Sequence, residues 1–205
     1  MKKLILVLFV MLISLPMAGQ SAEDKEMLKS EKFSFEPAGG ELVINKFFLD
    51  DEIGVEILDK SGNKLLEMKG IGTQDKMFSL KGQATGLAVA DVTGDQVPEV
   101  LASAFYGPAS ALYIFKFDLA SKKFAPVKFA DSDDVEMHRE FMVSDLPAEN
   151  GADMTISEDL VLTARGKIYP SSPEDAVKAG EYLFKFADGV FKLIETREIK
   201  EAGQE

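Results

Sequence analysis

The chain contains no cysteine and no tryptophan, and its 205 residues include one histidine, His138. Without cysteine there are no disulfides, no thiol nucleophile and no thiolate metal site, so the core or bound ions must hold the fold. With a single imidazole as well, zinc centres built from His and Cys are excluded. The missing Trp removes the usual sugar-stacking ring, which leaves the Phe-rich strand segments best explained as core. Basic residues are also in deficit, 23 Lys and Arg against 35 Asp and Glu, for a formal charge of −12. Such a surplus argues against nucleic acid or an anionic membrane as partner and suits cations or basic partners; most of these acids read as a solvated surface.

Long hydrophobic runs are absent too, with one short exception at the start. Lys2 and Lys3 precede an apolar run from Leu4 to Leu15, Pro16 breaks it, and Ala18, Gly19, Ser21 and Ala22 offer small residues for cleavage. A dozen apolar residues fall short of the ~20 that span a bilayer, so residues 1–22 read as a cleaved signal peptide. Its removal makes the chain two charges more negative and places the protein in the periplasm or outside the cell. No Cys is available for lipid attachment. No stable membrane span is expected after cleavage.

Residues 23–32 form a charged lead-in, expected to be mobile or briefly helical, and 33–200 a single β-rich domain. Leu42–Leu49 and Ile53–Leu58 are rich in β-branched and aromatic residues, and Ser61-Gly62-Asn63 turns VEIL back into KLLEM. Further strands are expected at 85–92, 97–105, 111–118, 124–129, 140–145, 153–156, 160–168, 182–186 and 190–197. Residues 130–136 form an acidic break. One short inserted helix is expected where Ser172-Pro173-Glu174-Asp175 supplies an N-cap, a Pro at N1 and an acid at N3, with Gly180 closing it.

Two segments repeat. Tyr113-Ile114-Phe115-Lys116-Phe117 and Tyr182-Leu183-Phe184-Lys185-Phe186 differ at one position, and each precedes a turn and a second strand. Upstream, VADVTGDQVPEV (Val89–Val100) aligns with VSDLPAENGADM (Val143–Met154), setting Asp91, Asp95 and Glu99 against Asp145, Glu149 and Asp153. These matches define blade-like units near 86–129 and 140–197, the later one longer by the helical insertion.

DVTGDQVPEVLAS, followed by ALYIFKF, resembles the FG-GAP or VCBS repeats of integrin-α-type β-propellers, whose D-x-[DN]-x-D-G-x-x-D loop joins two strands of a blade and chelates calcium. The resemblance covers 86–127 well and 142–194 faintly. It implies a calcium ion held by the side chains of Asp91, Thr93, Asp95 and Glu99 and by the carbonyl of Val97. Thr93 replaces a stronger oxygen donor, Glu99 is one methylene longer than the usual Asp, and Gln96 stands where Gly most easily takes a positive φ. An ion-free Asx turn explains the same residues equally well. Pro147 and Ala148 make the second loop a relic rather than a ligand set.

The expected fold is therefore all-β, built from propeller-blade-like antiparallel sheets. The mature chain is too short for four full blades, so the propeller is incomplete; a β-sandwich or barrel is the alternative. Exposed edges of such a fold need covering by the helix, by the lead-in or by a second chain, which makes dimerisation through a sheet edge an option. The function expected is an exported, non-enzymatic β-repeat module, calcium-stabilised where the loop is filled, that binds a protein or glycan. A metal-free periplasmic accessory protein and a carboxylate-based hydrolase are the alternatives. The second would need two carboxyl groups converging about 5–10 Å apart in a cleft. No nucleophile elbow or phosphate-cradling loop is present.

Overall fold

The computed structural model describes residues 25–131, 138–148, 152–170, 172, 174 and 176–199. Residues 1–24, which include the expected signal peptide, and most of the acidic break lie outside them. Seventeen strands follow one another among the described residues. They are β1 (Glu26–Phe35), β2 (Gly40–Leu49), β3 (Glu52–Asp59), β4 (Lys64–Gly72), β5 (Gln74–Asp75), β6 (Phe78–Leu80), β7 (Gln83–Thr85), β8 (Leu87–Ala90) and β9 (Glu99–Tyr106). After these come β10 (Ala109–Asp118), β11 (Lys123–Pro126), β12 (Phe129–Ala130), β13 (Met142–Ser144), β14 (Met154–Ile156), β15 (Leu162–Ile168), β16 (Lys178–Ala187) and β17 (Val190–Glu198).

They form three sheets, none closed into a barrel. The first is the four-stranded antiparallel meander β1-β2-β3-β4. The second runs β11-β10-β9-β5, with β8 beside β9 and β13 beside β10. The third runs β12-β17-β16-β15-β14-β6-β7, and its β12–β17 and β14–β6 pairs are parallel.

The second sheet lies between the other two, and its side-chain alternation shows why. From β9 and β10, Val100, Ala102, Ala104, Ala111, Tyr113 and Phe115 join Leu42, Ile44, Val55 and Ile57 of the first sheet in one core. Leu101, Leu112 and Ile114, pointing the other way, join Met154, Leu162, Phe184 and Phe191 of the third sheet in another. Strands apolar on both faces must be covered on both, and each fully buried Leu, Ile or Phe contributes about 1.5–3 kcal/mol. The architecture is all-β, as expected, with blade-like sheets stacked face to face.

Where the first sheet hands over to the second, the backbones meet. A Cβ on Gly72 would collide with the Phe105 carbonyl and the Ala104 methyl, and Thr73 N–H donates to Phe105 O at 2.8 Å. The Ser61-Gly62-Asn63 turn forms as expected, with Asp59 accepting from the backbone N–H groups of Ser61 and Asn63.

Three expectations are corrected. The lead-in is not mobile or helical from Glu26 on: Glu26–Phe35 is a strand that pairs along its length with β2. Its charges suit an edge strand, where they deter unwanted pairing, while Phe33 and Phe35 turn one face toward the core. The helix expected over 172–180 does not reach its closing glycine: Lys178, Ala179 and Gly180 open β16, opposite Ile168, Lys167 and Gly166. Pro173 and Asp175 lie outside the described residues. The second aligned loop is not the counterpart of the first, because β13 pairs with β10 whereas β14 pairs with β15 and β6. The YIFKF and YLFKF segments do occupy like positions, each as a long strand whose hairpin partner follows it in sequence.

Candidate functional site: an Asp-rich loop closed by a lysine

The loop of residues 91–98 joins β8 to β9, whose strands pair from Leu87–Ala102 to Ala90–Glu99. Gly94 and Gln96 both take left-handed backbone angles, φ 83° and 66°. For Gln96 that conformation is strained, and side-chain hydrogen bonds hold it. Asp91 Oδ1 accepts from Gly94 N–H at 2.6 Å and Oδ2 from Gln96 N–H at 2.9 Å. Asp95 Oδ1 accepts from Val97 N–H at 3.0 Å. Asp91 thus organises the turn in the Asx manner.

The remaining oxygens face β10. Glu99 is fully buried; its Oε2 accepts from Val92 N–H at 3.0 Å and its Oε1 from the Thr93 hydroxyl at 3.0 Å. A buried carboxylate needs a counter-charge, and β10 supplies it. Lys116 Nζ donates to Glu99 Oε1 at 2.7 Å, Asp95 Oδ2 at 2.6 Å and Thr93 Oγ1 at 3.1 Å. On its far side the ammonium lies 5.7 Å from the Phe186 ring of the third sheet. Burial alone would lower the Lys116 pKa, but its bonds to Asp95 and Glu99 outweigh that and raise it above 10.5. Burial likewise pushes the Asp95 carboxyl up, and the Lys116, Val97 and Thr93 donors more than reverse it, holding Asp95 below 3.8.

The structure therefore brings together Thr93, Asp95 and Glu99, three of the five residues expected at a cation site, and turns Asp91 onto the backbone. The Val97 contact shown is a donation from its N–H group to Asp95. Calcium asks for six to eight oxygens. As arranged, the inward oxygens number three, they converge on an ammonium, and both Asp91 oxygens are engaged with N–H groups. That geometry fits Lys116 better than a divalent ion. Among the described residues no group of three or more His, Cys, Asp or Glu side chains is placed to hold a metal.

Lys116 is the residue that sequence reasoning missed, although a signal for it exists. Gly107-Pro108 is a turn dipeptide, and it leaves β9 and β10 joined by two residues. That loop sets the register, from Tyr106 opposite Ala109 to Phe115 opposite Val100. One step further along the same register puts Lys116 beside Glu99.

The second set of acids is dispersed. Asp145 accepts from Lys167 N–H at 2.9 Å, while buried Asp153 accepts from the Ser110 hydroxyl at 2.8 Å and pairs with Lys76 at 3.0 Å. Glu149 lies outside the described residues. A comparable ammonium, fully buried Lys46 on β2, ties the first sheet to the second through Asp75, the Ser103 carbonyl and the Gly86 carbonyl, the last at 2.9 Å. Burial outweighs the Asp75 partner there and lowers the Lys46 pKa.

A cleft of about 220 Å³ opens between β13, β15 and β16, lined by Asp131, Arg139, Asp145, Lys167, Tyr169 and Tyr182 among others. The Arg139 guanidinium pairs with Asp131 at 3.1 Å, and its Nε is buried without a hydrogen-bond partner. The Tyr182 hydroxyl donates to Lys167 O at 2.8 Å, and Tyr169 is 67% exposed. Comparison of the chain with protein-family models, curated proteins and solved structures finds no match. Among the described residues, no helix is long and apolar enough to cross a membrane.

Proposed function

We propose that this chain is an exported, non-enzymatic β-repeat module that binds a protein or glycan partner through the cleft beside Tyr169. Export to the periplasm or beyond rests on the leader pattern of residues 1–22. The observation that carries the binding reading is the composition of the cleft. It sets an exposed ring, Tyr169, beside Tyr182, the Arg139 guanidinium, whose side chain is 40% exposed, and two carboxylates. Rings with flanking donors and acceptors are what a sugar or a peptide side chain needs for stacking and orientation. The test is binding of the mature chain to a glycan array and to a random-peptide display library, run beside Tyr169→Ala and Arg139→Gln. Selective retention that falls about tenfold or more in both variants supports the reading, since losing one good contact costs roughly 1.4 kcal/mol. Retention that both variants leave unchanged, or none at all, sinks it.

A second reading of the loop is the calcium-stabilised one implied by the resemblance to FG-GAP or VCBS repeats. The convergence of Thr93, Asp95 and Glu99 oxygens favours it, but the ion would have to displace Lys116 from all three.

A further inference from the structure

We propose that Lys116 is the resident cation of the Asp-rich loop: the chain closes with its own ammonium the position where the resemblance would put calcium. Three oxygens from three backbone positions meet one nitrogen, at 2.6, 2.7 and 3.1 Å. The nitrogen comes from β10, the strand beside the one the loop feeds, so the contact closes the loop against the sheet as a metal ion would. Nζ has three hydrogens to donate and three acceptors to receive them, which leaves the ammonium satisfied.

The burial of Glu99 makes this assignment more than a surface ion pair. A fully buried carboxylate stripped of its counter-charge is strongly disfavoured. Lys116 therefore cannot swing out to admit a divalent ion unless that ion arrives as it leaves. Sharing these oxygens would hold two cations close together at a cost in mutual repulsion, so ion and ammonium compete for the position. The side chain is also tethered, so it fills the position without the loss of translational freedom that an ion from solution must bear. It follows that the loop of the wild-type chain is indifferent to chelators and to millimolar calcium. Removing the ammonium while keeping an unbranched stem, in Lys116→Met, leaves Thr93, Asp95 and Glu99 facing a vacant cation position. That variant takes up divalent cations where the wild type does not. The inference concerns the loop alone and stands or falls independently of any partner at the Tyr169 cleft.

The experiment is thermal unfolding of wild type, Lys116→Met and Lys116→Met/Asp95→Asn, in EDTA and in millimolar calcium chloride, with calcium binding followed by calorimetry. The expected result has three parts. The wild type melts at one temperature in both buffers; Lys116→Met melts lower in EDTA and recovers part of the loss in calcium; the double variant recovers none. A calcium-dependent rise in the wild type equal to that in Lys116→Met overturns the proposal. So does a Lys116→Met variant as stable as wild type in EDTA. Should Lys116→Met not fold, amine acylation of the wild type decides the matter. An ammonium whose three hydrogens are all donated, to Asp95, Glu99 and Thr93, is shielded from an acylating reagent, so Lys116 should react roughly tenfold more slowly than exposed Lys123, with or without calcium. A rate that climbs when calcium is added would mean that the ion displaces the lysine, and refutes the assignment.

Discussion

Replacing Glu99 by glutamine is the least disruptive way to ask how much the closed loop contributes. The two side chains have the same shape, but glutamine offers one acceptor oxygen and a donating NH₂. Both Glu99 oxygens face donors: Oε2 meets Val92 N–H, and Oε1 meets the Thr93 hydroxyl and the Lys116 ammonium. In either orientation the new NH₂ therefore meets a donor. If it turns toward Val92, a buried N–H loses its acceptor, at about 1–3 kcal/mol; if toward Lys116, a charge-assisted bond worth roughly 1.5–3 kcal/mol is lost. Lys116 is 28% exposed and keeps Asp95, which places the second cost near the bottom of its range. We expect Glu99→Gln to cost about 2 kcal/mol, or roughly 4–8 °C in Tm for a domain of this size. Glu99→Met, which removes both acceptor oxygens at once and leaves Val92 N–H buried without a partner, should cost about 3 kcal/mol or more. Urea unfolding at unchanged slope gives both values. A Glu99→Gln protein within about 0.5 kcal/mol of wild type would refute the reasoning, because a surface substitution of no consequence gives that much.

Other parts of the molecule make separate predictions. Asp95 has a folded pKa below its ordinary 3.8, so its contribution is present above that value and lost as pH falls through the folded one. The Tm gap between wild type and Asp95→Asn should accordingly be steady from about pH 5 to 7 and close in more acid buffer; a gap that widens there would contradict the sign. Gly72→Ala should destabilise by about 2 kcal/mol or more, since the added methyl meets the backbone of the neighbouring sheet rather than a side chain that could move. Its urea midpoint beside that of Gly62→Ala, where a Cβ meets nothing within 4 Å, separates crowding from the loss of glycine's freedom at a positive φ. Leu112→Ala opens a cavity between the second and third sheets and should cost about 2.7–5 kcal/mol. An equal loss from Ala125→Gly, on the exposed side of β11, would count against that packing.

The strands were legible wherever the side chains carried the signal. ALYIFKF showed its alternation, and the Ser61-Gly62-Asn63 turn announced its hairpin. The first half of β1 was not legible, because Lys29, Glu31 and Lys32 give an edge strand the look of a solvated tail; main-chain pairing with β2, which leaves no mark on composition, holds it there, while Phe33 and Phe35 anchor its end in the core. The Ser172 cap signature did not carry a helix to Gly180, for the opposite reason. It is a local preference, and the pairing of Lys178–Gly180 with Gly166–Ile168 overrode it. At the loop, the acids were legible as a cluster of oxygens. The identity of their counter-charge was not, because Lys116 is seventeen residues from Glu99 along the chain and becomes its neighbour only through a hairpin register.

The parallel pairing of β6 with β14 has a consequence in time as well as in space. Ser79 and Leu80 lie opposite Thr155 and Ile156, so a segment made early must wait for one made more than seventy residues later. The first sheet waits for nothing: its four strands are consecutive and complete at Gly72. A chain emerging from its N-terminus can close that meander at once, while the third sheet cannot form until the loop entropy of the whole central hairpin has been overcome. In the interval Leu101, Leu112 and Ile114 have no cover on the side that faces the third sheet. That interval, rather than the finished structure, is when this protein is most exposed to aggregation.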